Sequence, residues 1–109
     1  MIHAQFDALK ALIPTAELYH DGGVAGAYIP QLPIATQQGE VQADVILYPH
    51  GHSGYQSRLF FERQLQGAKA QNWTTHSLGG RTWWACSRQG VEPSLPWIEI
   101  LACHLNAVQ

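Results

Sequence analysis

Apolar residues near the start of this chain recur at helical spacing. Phe6, Leu9 and Leu12-Ile13 follow it, with Ala8 and Ala11 between them, and Pro14 ends the run. Proline lacks the N–H a helix needs and crowds the preceding turn, so a short helix is predicted from about Gln5 to Ile13. Glu17-Leu18-Tyr19-His20 alternates weakly and stops at the turn signal Asp21-Gly22-Gly23. Between Ala25 and Ala35, Tyr28, Ile29, Leu32 and Ile34 are broken by Pro30 and Pro33. Proline cannot donate to a sheet ladder, which predicts an edge or bulged strand. Val41 to Tyr48 alternates and then runs continuously apolar, the strongest strand signal in the chain. Pro49 to Tyr55 reads as a loop, and Arg58 to Glu62 as another strand. Gln64 to Gln71 is polar and has no clear period. Arg81 to Cys86 is strand-like after the turn Gly79-Gly80. Ser94 reads as an N-cap with Pro96 in the first turn of a last helix. Trp97, Ile98, Leu101, Ala102 and Leu105 share its face as far as about Ala107. Strands grouped together with helices at the ends predict an α+β fold. The expected architecture is an antiparallel four-stranded meander flanked by an N-terminal and a C-terminal helix.

Composition narrows the class. A chain of 109 residues fits one domain, 1–109. It is 46% hydrophobic and 13% charged, too apolar for disorder, and the low charge suits a surface used by a partner. The formal charge of −2 and six scattered Lys and Arg give nothing that tracks a phosphate backbone or an anionic membrane. No stretch approaches the ~18 apolar residues of a membrane span. Met1 to Asp7 has neither the basic start nor the apolar run of a secretory signal. The expectation is a cytoplasmic protein, binding neither nucleic acid nor membrane, with Cys86 and Cys103 as thiols.

Few residues carry candidate chemistry. Cys86 follows two tryptophans at the end of a strand and precedes Ser87-Arg88-Gln89-Gly90. A strand end can expose a sulfur, and Arg88 favours the thiolate, which is the nucleophile. The bland alternative is a small buried residue, and Cys103 in the last helix reads that way. His50 and His52 form an H-x-H pair in a Gly-containing loop. Two such side chains in extended chain point the same way and can ligate one metal ion if His20, His76 or a cysteine supplies a third group. His76 lies ten residues before Cys86 and is a candidate partner for it. Glu40 and Asp44 read as surface carboxylates, and Glu99 as a favourable charge in the first turn of the last helix. Of the four tryptophans, Trp83 and Trp84 are adjacent in a strand and must face opposite sides.

The order of these elements resembles the ubiquitin-conjugating enzyme (UBC) family. The carriers are the N-terminal helix, the meander whose third strand ends in Tyr48-Pro49, and the strand Arg58-Leu59-Phe60-Phe61. They continue with His76, Cys86 and the helix opened by Ser94-Leu95-Pro96-Trp97. The resemblance runs from about Phe6 to Val108 and is to small bacterial members tied to ubiquitin-like pathways. It implies a minimal UBC-like fold with Cys86 as the thioester-forming cysteine and His76 as a candidate base for an incoming amine. It implies as partners a ubiquitin-like protein, a ubiquitin-activating-type enzyme and a deubiquitinating-type metallopeptidase, and it implies no cofactor. His76 is followed by Ser77 and Leu78 where the family has Pro and Asn. The oxyanion role of that Asn would then pass to His50, His52, Asn72 or backbone N–H groups. Two other functions fit the same residues: a non-catalytic scaffold of the same fold, and a small metal-binding protein using His50 and His52.

Overall fold

The computed structural model describes residues 2–52, 54–68, 72–86 and 88–109, without the side chains of Ile2 and His3. Helix α1 (Ile2–Leu12) is followed by β1 (Glu17–Asp21), β2 (Val24–Thr36), β3 (Gly39–Tyr48), β4 (Arg58–Phe61), β5 (Trp73–Leu78), β6 (Arg81–Cys86) and helix α2 (Trp97–Asn106). The strands form one antiparallel sheet in the order β1-β2-β3-β4-β6-β5. The α+β class and the two flanking helices are as the sequence predicts. The sheet has six strands rather than four. One of the additions is β1, whose weak alternation is a true strand. The other is β5, an edge strand with the burial of a mostly exposed segment, so it lacks an apolar rhythm.

The prolines of β2 sit where ladder geometry permits them. Strand β1 covers β2 only from Val24 to Tyr28. Beyond Tyr28 one side of β2 is an open edge, and the register to β3 shifts between Ile29 and Leu32. Gln31, inside that bulge, has a φ of 53°. Asp44 holds it there, accepting from the Gln31 N–H at 2.9 Å and from its side-chain amide at 3.2 Å. Asp44 also accepts from the Tyr28 hydroxyl at 3.1 Å. It is therefore a structural anchor rather than an ordinary surface carboxylate. Burial acts to raise its pKa, but these donors and the Arg81 charge hold the carboxyl below its usual value.

Three glycines are dictated by backbone geometry. Gly79 and Gly80 both have positive φ and close the two-residue turn between β5 and β6. A Cβ at Gly26 would collide with the Leu47 carbonyl oxygen, so β2 and β3 can approach only with glycine there.

Pairing assigns each side chain to a face. One face carries Ala27, Ile29, Ile34, Val45, Leu47, Leu59, Phe61 and Cys86. Leu9 of α1 and Trp97, Ile100 and Leu101 of α2 cover it, with Val108 just beyond. The other face carries Tyr28, Ile46, Tyr48, Phe60, Leu78, Trp83 and Ala85, and no helix among the described residues covers it. Trp83 and Trp84 lie on opposite faces, as strand alternation requires.

Helix α2 is turned from its expected orientation. Its buried stripe is Trp97, Ile100, Leu101 and His104, not Ile98, Ala102 and Leu105. Its N-cap is Pro96 rather than Ser94, and proline offers no capping side chain. Gln5 of α1 supplies the missing acceptor: its side-chain oxygen takes the Trp97 N–H at 3.2 Å.

Candidate active site

Cys86 is the last residue of β6, and its side chain lies on the helix-covered face. It is 5% exposed. Burial pushes its thiol above the ordinary value, while the charges of Arg58 and Arg88 pull the other way. Arg88 is tied by its Nε–H to the Cys103 carbonyl at 3.4 Å. Cys103 itself is half-buried against the same core.

His76 pairs with Trp83 in the β5–β6 ladder, and Trp73 pairs with Cys86. Odd and even positions of one strand face opposite ways, so His76 points to the open face and Cys86 to the helix face. The expected His76–Cys86 pairing is therefore not formed: the sheet separates them. His76 instead sits against Phe60 and His52, with ring centroids at 5.3 and 5.2 Å. Its Nε2 lies 2.9 Å from Thr74 Oγ1 and 3.5 Å from Arg58 Nη2. A guanidinium can only donate, so Nε2 accepts and the ring proton is on Nδ1. Burial, then Arg58 and His52, hold the His76 pKa below its ordinary value.

The H-x-H pair does not converge. Tyr48 stands between the two rings, 5.8 Å from His50 and 5.6 Å from His52. His50 Nε2 is engaged with the Ala25 carbonyl at 2.8 Å. His52 packs edge-on against Phe60 at 5.3 Å, and its Nδ1 is buried without a hydrogen-bond partner. Among the described residues no three His, Cys, Asp or Glu groups come close enough to share a metal ion.

Three residues that the sequence reading passed over define this end of the sheet. Arg58, first residue of β4, is 2% exposed. Its guanidinium stacks on the Tyr55 ring at 4.1 Å and lies 5.9 Å from the Phe60 ring. It has no carboxylate partner among the described residues, whose ion pairs involve only Arg63 and Arg81. Burial lowers its pKa, and the acidic groups acting on it are Tyr55 and Cys86. Ser57 and His104 form the second feature. Ser57 Oγ donates to the Val91 carbonyl at 2.9 Å, so it accepts from His104 Nε2–H at 2.9 Å. The proton runs the wrong way for a Ser–His nucleophile, and the pair is a buried tie between the residue preceding β4, α2 and residue 91. Burial, with Arg58 and Arg88 adding to it, lowers the His104 pKa to about 4. A charged residue opening an apolar strand gave no sign of being buried. His104 was visible in principle, since it continues the Trp97, Ile100, Leu101 stripe by one turn.

The open face also holds a groove of about 280 Å³, lined by Leu18, Tyr19, Tyr28, Ile46, Leu78 and Trp83 with Glu17 and Arg81. It is on the opposite side of the sheet from the Cys86 side chain. Comparison with protein-family models, curated proteins and solved structures gave no significant match.

Proposed function

We propose that the chain is a ubiquitin-conjugating-type transferase domain of a bacterial ubiquitin-like pathway, carrying the ubiquitin-like protein as a thioester on Cys86. The observation that carries this reading is the place of Cys86: it ends β6, where the chain leaves the sheet for α2, with two guanidinium groups acting on its sulfur. The order of helix, antiparallel sheet, cysteine-bearing strand and closing helix supports a minimal UBC-like layout. In the reaction the Cys86 sulfur attacks the thioester carbonyl presented by an activating-type enzyme, whose own cysteine leaves as thiolate. An acceptor amine then attacks the new thioester, and Cys86 leaves in turn. No cofactor takes part, because a thioester is already activated and the domain's work is to position the reactants. A deubiquitinating-type metallopeptidase would reverse the product in the same pathway. His76 faces away from the sulfur, so deprotonation of the amine falls to another group or to the acceptor itself.

The test is adduct formation with the cognate ubiquitin-like protein, its activating enzyme and ATP. The expected product is a Cys86-dependent adduct that thiol reductant removes, and Cys86→Ser converts it to a reductant-stable ester. An adduct that survives Cys86→Ala would overturn the assignment. A second reading has its own support: Cys86 is 5% exposed and its thiol is pushed up by burial, which suits a non-catalytic module of the same layout. That module would bind its partners equally well as wild type and as Cys86→Ala, and would form no adduct.

A further inference from the structure

Arg58 carries a charge that the fold does not balance. A buried cation is costly unless an anion neutralises it. The chain has eight Asp and Glu, and all of them lie within the described residues. None pairs with Arg58, since the ion pairs there engage only Arg63 and Arg81. Yet Arg58 is 2% exposed. Register puts its side chain on the open face of the sheet. It stands opposite Tyr48 and two residues from Phe60, and both of those face away from the helices. Its surroundings there are aromatic or basic. Tyr55 stacks on its plane at 4.1 Å, the Phe60 ring is at 5.9 Å, and His76 Nε2 is 3.5 Å from Nη2. His52 lies 5.2 Å from His76, ring to ring, and its Nδ1 is buried without a hydrogen-bond partner. Two unmatched polar groups thus share one cluster. The cluster meets solvent at Thr74, which is exposed and whose hydroxyl is 2.9 Å from His76 Nε2. A small ion that displaces this hydroxyl reaches the ring nitrogen and then Nη2. Burial keeps the guanidinium out of reach of a carboxylate carried on a folded partner.

We propose that Arg58, His76 and Thr74 form a binding site for a small free oxyanion of the size of sulfate or phosphate, whose charge balances the guanidinium. The guanidinium presents paired N–H donors, the arrangement that oxyanions accept best. The Thr74 hydroxyl adds a neutral donor at the rim. His76 Nε2 accepts in the free protein, so it holds an anion only by taking up a proton. Binding and proton uptake are therefore coupled, and affinity rises as pH falls through the titration of His76. The charged or titratable groups acting on that ring are Arg58 from β4 and His52 from the loop after β3, while Phe60 beside it is apolar. Both oppose its protonation, and a bound anion offsets them. The site is on the opposite side of the sheet from the Cys86 side chain and does not depend on reading Cys86 as a thioester carrier.

Sulfate is the probe, because it stays a dianion across the pH range used. It is titrated into the whole chain against sodium chloride at constant ionic strength. Specific binding gives a saturating rise in Tm. Any protein also gains a non-saturating increment from sulfate, which is excluded from its surface. Arg58→Met, close in shape to the arginine stem, should lose the saturating part and keep the increment. In chloride alone it should unfold no earlier than wild type, since it deletes an unbalanced buried charge. A second measurement needs no variant: nuclear magnetic resonance of the His76 ring nitrogens in the wild-type chain. Sulfate should shift them saturably, with a half-point roughly tenfold lower at pH 6 than at pH 7.5. His76→Gln cannot titrate, and its Tm response should have one half-point at both pH values. His76 resonances that sulfate does not move, or a saturating Tm rise that folded Arg58→Met retains, overturn the proposal.

Discussion

At the scale of single residues, the site is organised by polar groups placed where the chain would otherwise be apolar. Ser57 is 1% exposed and His104 3%. They satisfy each other and the Val91 carbonyl, so the tie holds only as a unit. Ser57→Ala removes the acceptor for His104 Nε2–H and the donor to Val91. It should lower stability by about 1–3 kcal/mol in urea unfolding, with no change in the slope of the transition. Legibility at this scale was mixed. Cys86 and His76 stood out as residue types, and the strand carrying Cys86 was readable from its composition. Their relation was not. Sequence distance placed His76 ten residues from Cys86, and a two-residue Gly turn then folds β5 onto β6 so that the two side chains take opposite faces. One residue of register decides between a pair and its absence.

Among the elements, α1 and α2 show how a weakness in one is corrected by another. Pro96 fixes where α2 begins but has no side chain to cap its first N–H groups. The Gln5 oxygen of α1 reaches the Trp97 N–H instead. Gln5→Ala is expected to cost about 1 kcal/mol, the usual worth of an N-cap, seen as a lower denaturant midpoint. Ser94→Ala should leave that midpoint unchanged, because Ser94 is exposed and is not the cap residue. Sequence pattern located both helices and most strands because each has an apolar face with its own period. It missed β5, since an edge strand half in solvent needs no such face. It set the stripe of α2 on Ile98, Ala102 and Leu105 because histidine was counted as polar. Hydrogen bonding to Ser57 lets His104 lie inward and rotates the helix accordingly.

For the molecule as a whole, basic groups from three elements and one loop meet around Arg58. His52 comes from the loop after β3, His76 from β5, His104 from α2, and Arg58 from β4. Burial and the Arg58 charge lower the pKa of all three histidines, His104 to about 4. The folded state therefore keeps them neutral while the unfolded chain binds protons near pH 6.5. Stability from this source is complete above pH 6.5 and is lost as pH falls toward 4. For His104 alone the loss is on the order of 3 kcal/mol across that window. Thermal melts should show Tm falling between pH 7 and pH 4.5. His104→Gln, which keeps an N–H for Ser57 and cannot titrate, should flatten the slope. A slope equal to that of wild type would remove His104 as its source.

The sequence by itself determined the α+β class, the two terminal helices and the strands with an apolar rhythm, because period and breakers are local properties of the chain. It also singled out Cys86 as the candidate nucleophile. Only the tertiary structure decided which face of the sheet the sulfur occupies, that His50 and His52 part around Tyr48, and that Arg58 is buried with no carboxylate partner among the described residues. Those facts depend on register and on which strands become neighbours. Strand β4 pairs with β6 rather than with β5, its successor in sequence, and that non-sequential pairing is what sets the Cys86 strand beside β4.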